Sequence, residues 1–332
     1  MEDSSLIKIE PKRKLSTFVI PDNTHFIRHF LNNKYKKNEH TAKSYEIDIK
    51  EFFKVNMVED ITLNDIKAVT VFDVEDYIIG LIDLGRASST IHRKVSSLSS
   101  LYKWLLKYQD NSRNISLIQF NPFNNMSDVK PTLTHDDTEF LSRDEAALLL
   151  NSIGTESITD LRNKAIIGLA LITGARKSEI LNIKLKHITN ILGYDVIRVT
   201  RKRGKKDLIK INTHVKDLIM EYINRTGRSI ETNQEDYLFI GHSSNKQNGE
   251  KLNPATLNKI ISNYCCKFNI NKKIKVHSLR HTAITIAIQK GASLEKVQAF
   301  AGHESAYTTA RYVHSINKLQ DNAGDLIDVF ED

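Results

Sequence analysis

Residues 302–314, GHESAYTTARYVH, place Tyr307 and Tyr312 five apart between His303 and His314, with Arg311 beside the second tyrosine. A phenol among cations can act as a nucleophile, because nearby positive charge lowers the cost of forming phenolate. Three other stretches concentrate groups of the same kind. TGARKSEI sets Arg176 three residues before Glu179, and RKRGKK, residues 201–206, is a basic turn. VHSLRHT puts His277 and Arg280 one helical turn apart on one face. Singly, each has an ordinary explanation: an ion pair one turn long, a solvated turn, a chance spacing, a packing tyrosine. Together they suit one substrate, since guanidinium forks match the oxygens of a phosphate diester.

What does not accompany them narrows the chemistry. There is no Asp/Glu cluster or Cys/His set at metal-ligand spacing, no glycine-rich phosphate loop and no GxSxG elbow. Phosphoryl chemistry on this set needs cationic side chains to stabilise charge, plus a protein nucleophile or an activated water. No metal or other cofactor is expected. Spacing alone does not choose between Tyr307 and Tyr312.

The elements that must hold these residues are mainly helical. In HTAKSYEIDIKEFFKV, Tyr45, Ile49, Phe52 and Phe53 share one helical face, with Lys43 elsewhere on the surface. TVFDVEDYIIGLIDLG opens on Thr70 and Asp73 at capping-box spacing and stops at Gly85. SSTIHRKVSSLSSLYKWLLKY follows, with Ile91, Val95, Leu98, Tyr102 and Leu105 as a buried stripe. Arg93, Lys94 and small hydroxyls are assigned to its other side, which can approach phosphates closely or simply face water. An Asn-, Asp- and Ser-rich stretch with Pro122 and Pro131 reads as a linker. A second helical region starts at Ser142 and Glu145, another capping box; LRNKAIIGLALITG is apolar nearly all round and ends at Gly174. YDVIRVTRKRGKKDLIKI reads as a hairpin turning at Gly204. The expected organisation is a basic arm over 1–22, a helical domain over 23–118, a linker over 119–138 and a second domain over 139–332. The fold class is mainly α with a small antiparallel sheet (α+β).

A chain of 332 residues can form two domains, and a net charge of +8 with pI near 9.2 favours a polyanionic partner. The cysteines, Cys265 and Cys266, are adjacent in a helical pattern, which favours buried free thiols over a disulfide. With no apolar run of membrane-spanning length and no signal-peptide core near the N-terminus, a soluble, cytoplasmic, nucleoid-associated protein is expected.

The four stretches also carry a resemblance. In order, TGARKSE, RVTRKRGKKDLIKI, HSLRH, GH and RYVH resemble the signature of the tyrosine recombinases, the phage integrase family, most like the compact Xer-like and transposon- or integron-type members. Residues 23–108 resemble, more loosely, that family's helical core-binding domain. The resemblance implies a two-domain clamp around double-stranded DNA, with Arg176 and Arg280 holding the scissile phosphate and His277 and His303 donating hydrogen bonds to it. Glu179 would support Arg176. Tyr312, standing before Val313 and His314, would be the nucleophile, and Tyr307 falls outside the pattern. The gapless match puts the family's hairpin lysine at Lys202, with Lys205 as the alternative. Arg201 and Arg203 stand where the family usually has glycine, and they are expected to add phosphate contacts. Lys43, Arg93 and Lys94 are the candidates for DNA contact in the first domain.

By the same resemblance, Tyr312 would form a 3′-phosphotyrosyl link, Lys202 would protonate the leaving 5′-oxygen, and two exchanges through a Holliday junction would complete recombination in a homotetramer on synapsed DNA, alone or with a related recombinase or accessory proteins. The C-terminal segment with Leu326, Ile327, Val329 and Phe330 on one helical face would dock on a neighbouring subunit. The alternatives are DNA relaxation of the type IB topoisomerase kind, or a DNA-binding accessory protein without catalysis.

Overall fold

The computed structural model describes residues 25–107, 109–110, 115–133, 138–201, 204–242, 250–310 and 312–313. The arm over 1–22, Lys202, Arg203 and the C-terminal segment with Leu326, Ile327, Val329 and Phe330 lie outside the described residues. Two compact units divide the chain, Met1–Asp136 and Asp137–Asp332.

The first unit is helical: α1 (Phe26–Tyr35), α2 (Glu39–Phe53), α3 (Leu63–Ala68), α4 (Val71–Asp83) and α5 (Ser88–Leu105), followed by an antiparallel pair of two-residue strands, β1 (Gln109–Asp110) and β2 (Ile115–Ser116). The expected caps form. The Thr70 N–H donates to Asp73 at 2.7 Å and opens α4. The apolar stripe of α5 is fully buried against Ile27, Phe30, Ile49 and Ile78. Ile118, Phe123 and Met126 join this core, so part of the stretch read as a linker from 119 packs with the first unit.

Lys94 departs from the sequence reading. It is 5 % exposed, because position 94 lies one turn from both Ile91 and Leu98 and shares their face. Its ammonium pairs with Glu51 and stands 3.5 Å from Asp48, itself wholly buried and bonded to Ser97 and Arg93. Lys94 is therefore a core cation rather than part of a phosphate-facing surface. Arg93 keeps its side chain 46 % exposed, and Lys43 is exposed and paired with Glu39.

The second unit contains α6 (Arg143–Ser152), α7 (Ile158–Thr173), α8 (Lys177–Leu181), a sheet of β3 (Ile188–Ile191), β4 (Tyr194–Thr200) and β5 (Lys206–Lys210), then α9 (Thr213–Arg225), α10 (Pro254–Lys267), α11 (Val276–Gln289) and α12 (Leu294–Ala301). Helix α7 is buried on nearly every side, which its apolar sequence requires. The sheet is antiparallel in the order β3-β4-β5, with Thr200 opposite Lys206 across the basic hairpin. Of the two cysteines on α10, Cys265 is buried and Cys266, about 100° further round the helix, is exposed. Among the described residues, no helix is long and apolar enough to cross a membrane.

Candidate active site

Two helix ends assemble the cationic side chains. Gly174 terminates α7 at φ +58°, a left-handed position where a side chain would also press on Phe300. The chain then turns directly into α8, with Arg176 as its N-cap. Glu179, one turn on and buried, accepts the Arg176 backbone N–H and its Nη1, both at 2.8 Å. These two bonds, both accepted by Glu179, fix the stem of Arg176 and leave its side chain 34 % exposed.

Helix α12 ends at Gly302, φ +60°, and its last carbonyls collect three guanidinium groups. Arg280, on α11, donates to Ala301 O and to Gly174 O, each at 2.6 Å, and so ties the ends of α12 and α7 together. Arg176 Nη2 donates to Gly302 O at 3.2 Å. Arg201, at the end of β4, donates to Ala301 O at 3.3 Å and Phe300 O at 3.4 Å. Carbonyls at a helix C-terminus carry partial negative charge, which makes this a good place to gather cations. Burial, with Arg176 nearby, lowers the Arg280 guanidinium to about 10, so it stays charged at neutral pH.

Arg201 is the second departure from the sequence reading. It is 7 % exposed and committed to Asp207 at 2.9 Å and Glu179 at 3.2 Å besides the carbonyls. With Nε, Nη1 and Nη2 all held by protein acceptors, two of them carboxylates that offset its charge, a phosphate-facing role does not fit Arg201. The site accommodates it because Gly302 lacks a side chain: a Cβ there would stand 2.7 Å from Arg201 Cζ.

Three imidazoles and a phenol complete the cluster. Tyr312 Oη lies 3.1 Å from His281 Nε2, and the Tyr312 ring stacks on His303 with centroids 5.9 Å apart. His281 Nε2 is also 3.0 Å from His277 Nε2. His303 Nδ1 is 2.8 Å from the hydroxyl of buried Thr309. Burial, followed by the like charges around them, pushes both His281 and His303 down to about 4. His277 is lowered too, by desolvation and then Arg280 and Arg176. These rings are neutral at pH 7, each with one N–H to donate and one nitrogen to accept. Tyr307, by contrast, is 74 % exposed and outside the cluster.

Arg176, His277, Arg280, His303, Tyr312 and Glu179 thus converge, drawn from segments more than a hundred residues apart. A cleft of about 630 Å³ opens beside them, lined by Arg176, Arg201, Lys205, Gln298 and His303. Lys205 is therefore within the same cleft as two of the candidate phosphate ligands. Sequence reading passed over His281, although its position four residues after His277 puts both on one helical face. It also passed over Thr309, whose small buried hydroxyl gives no signal in sequence.

A profile described as the phage integrase family matches residues 139–318, more than half of the chain. The chain belongs to the phage integrase family. The family's N-terminal SAM-like domain matches residues 26–109, the helices of the first unit. A tyrosine recombinase from Pseudothermotoga lettingae is 27% identical over 87% of this chain and 92% of its own length. Tyrosine recombinase XerC from Thermodesulfovibrio yellowstonii is 29% identical over 88% and 92%. Among solved structures, XerH recombinase bound to a palindromic difH substrate, a post-cleavage complex, superposes with TM-score 0.66 at 21% identity, over 90% of this chain and 83% of that one. A lambda integrase dimer bound to a COC′ core site superposes with TM-score 0.62 at 15% identity, over 92% and 98%. The family that the ordered motifs resembled is therefore the one to which the chain belongs. The mainly helical fold with its three-stranded antiparallel sheet is the family's fold.

Proposed function

We propose that this protein is a site-specific DNA recombinase that cuts and rejoins duplex DNA through a phosphotyrosyl link to Tyr312, in the integration, excision or resolution of a mobile element or replicon. The observation that carries this reading is the convergence of the Tyr312 phenol with His281, His303 and the paired Arg176 and Arg280. Such a pocket favours the phenolate and spreads the charge of a pentacoordinate phosphorane over preorganised donors. Arg176 and Arg280 clamp the scissile phosphate, and His277 and His303 donate to its oxygens. Glu179 holds Arg176 in place. Tyr312 attacks phosphorus, the 5′-oxygen leaves with a proton from Lys202 or Lys205, and the 5′-hydroxyl of a partner strand then attacks the link and restores Tyr312. The diester energy is kept, so the exchange needs no nucleotide cofactor and no metal. DNA recombination sites are the substrate, held by both units of a homotetramer that passes through a Holliday junction.

The test starts from random duplexes. Purified protein is incubated with a pool of nicked random-sequence DNA, denatured, and the DNA that stays covalently attached is amplified and sequenced. A recurring sequence attached by its 3′-phosphate is expected. Tyr312→Phe should give no adduct and Tyr307→Phe should give the wild-type yield. Attachment that survives Tyr312→Phe overturns the assignment of the nucleophile. Relaxation of plasmids carrying the site, without branched junctions, would reassign the protein to topoisomerase-like chemistry.

A further inference from the structure

His281 contacts the reacting oxygen yet has no part in the scheme above. We propose that His281 is the proton acceptor of Tyr312, and that a DNA phosphate frees it for this work by drawing His277 away; the inference rests on Tyr312 being the nucleophile.

One nitrogen decides the matter. His281 Nε2 faces both Tyr312 Oη, at 3.1 Å, and His277 Nε2, at 3.0 Å. A neutral imidazole nitrogen carries either a proton or a lone pair. If His277 donates, the lone pair of His281 is occupied and the phenol has no acceptor there. If His281 donates instead, it cannot take a proton from Tyr312 at all. Only when the Nε2–H of His277 turns to another acceptor does the His281 lone pair become available to the phenol. A diester held between Arg176 and Arg280 supplies that other acceptor. His303 is poorly placed for the same task, since its ring lies nearly parallel to the tyrosine ring, 20° between planes, and its Nδ1 is occupied by Thr309.

The proton balance closes. As the Tyr312 oxygen bonds to phosphorus, its proton passes to His281 Nε2, and the bond from phosphorus to the 5′-oxygen breaks as that oxygen is protonated by the lysine. In rejoining, imidazolium His281 returns the proton to departing Tyr312. The groups facing His281 are His277 and Arg280 on α11, His303 after α12, and Tyr312 itself. Burial first, and then His277, Arg280 and His303, discourage a charged imidazole in the free protein. The diester's negative charge offsets them, and a phenol becomes acidic as its oxygen bonds phosphorus, so a weak base suffices.

The experiment uses the full chain and a nicked duplex bearing the site recovered by the selection above. His281→Ala should slow adduct formation about 100-fold, the scale of a lost general base, with DNA affinity unchanged. Added imidazole should restore the rate at least tenfold, and more at pH values where imidazole is neutral. In Tyr312→Phe protein, 15N spectra should show Nε2 of His281 unprotonated and Nε2 of His277 protonated once the duplex is bound. A variant within threefold of wild type, a slow variant that imidazole does not rescue, or a protonated Nε2 on His281 in the complex each overturns the proposal. An adduct formed by Tyr312→Phe would instead sink the nucleophile assignment beneath it.

Discussion

Arg201 Nη1 lies 3.2 Å from Glu179 Oε2, which ties the β4–β5 hairpin to the same carboxylate that holds Arg176. Both residues are buried, and Arg201 also reaches Asp207 and the end of α12. One guanidinium thus joins the base of the basic turn to two of the segments that position the candidate phosphate ligands. Removing it leaves Glu179 with Arg176, Ala301 O with Arg280, and Phe300 O without its guanidinium donor. Arg201→Gln is expected to destabilise the protein by about 3 kcal/mol, the usual scale for breaking a buried ion pair. Urea unfolding measures this. A change below 1 kcal/mol would mean the contact is not coupled to folding.

Gly302 and Arg201 should be coupled for steric reasons. Gly302→Ala places a Cβ 2.7 Å from Arg201 Cζ at a φ of +60°. In the wild-type background the substitution is expected to cost about 3 kcal/mol, from the close contact and the left-handed backbone together. In an Arg201→Gly background only the backbone cost of about 1 kcal/mol should remain. A double-mutant cycle reads the difference, and strict additivity would refute the contact.

His281 and His303, both held near 4, make stability depend on pH. Their folded values lie below the ordinary value of 6.5, so the unfolded chain binds more protons between those limits. Stability should therefore be greatest above about pH 6.5 and fall as pH drops toward 4. His281→Phe should flatten that slope, measured by urea unfolding at several pH values. Saturation with DNA should flatten it as well, because a phosphate favours the protonated rings. A slope unchanged in the variant would place the titration elsewhere.

In the first unit, Lys94 and Lys43 should behave differently. Lys94 is buried against Glu51 and Asp48, whereas the Lys43 side chain is 65% exposed. Lys94→Met should lower stability and leave the dependence of DNA affinity on salt unchanged. Lys43→Ala should reduce the slope of log Kd against log salt by about 1 if it neutralises one phosphate. Titrations across a range of salt concentrations decide this, and a loss of slope in Lys94→Met would restore that residue to the DNA surface.

These contrasts show what was legible beforehand. Helices α2, α4, α5, α6 and α7 follow from apolar spacing and caps such as Thr70 with Asp73, because those signals are local. Strand β3 was not read: its turn into β4 puts Leu192 at φ 51° and Gly193 at φ 82°, and a leucine there carries no hairpin signal. Lys94 and Arg201 looked like surface cations because charge suggests solvent, and only tertiary structure supplies Asp48, Glu51, Glu179 and Asp207 as buried partners. In the site, Arg176, His277, Arg280, His303 and Tyr312 came from ordered motifs. His281 did not, since its meaning depends on a phenol thirty-one residues away in sequence.

The general acid is the remaining assignment, and a modified leaving group resolves it. By the resemblance Lys202 would take the family position, while Lys205 lines the cleft with Arg176 and His303. Expelling an alkoxide needs a proton, whereas a thiolate leaves readily without one. On a duplex with a bridging 5′-sulfur at the scissile phosphate, the variant lacking the true acid should recover to near the wild-type rate. On the ordinary duplex it should be slowed by about 100-fold or more. The family position expects this pattern for Lys202→Ala, with Lys205→Ala slowed only by weaker DNA binding and gaining nothing from sulfur. The opposite pattern would move the acid to Lys205, and no sulfur rescue in either variant would rule out both lysines.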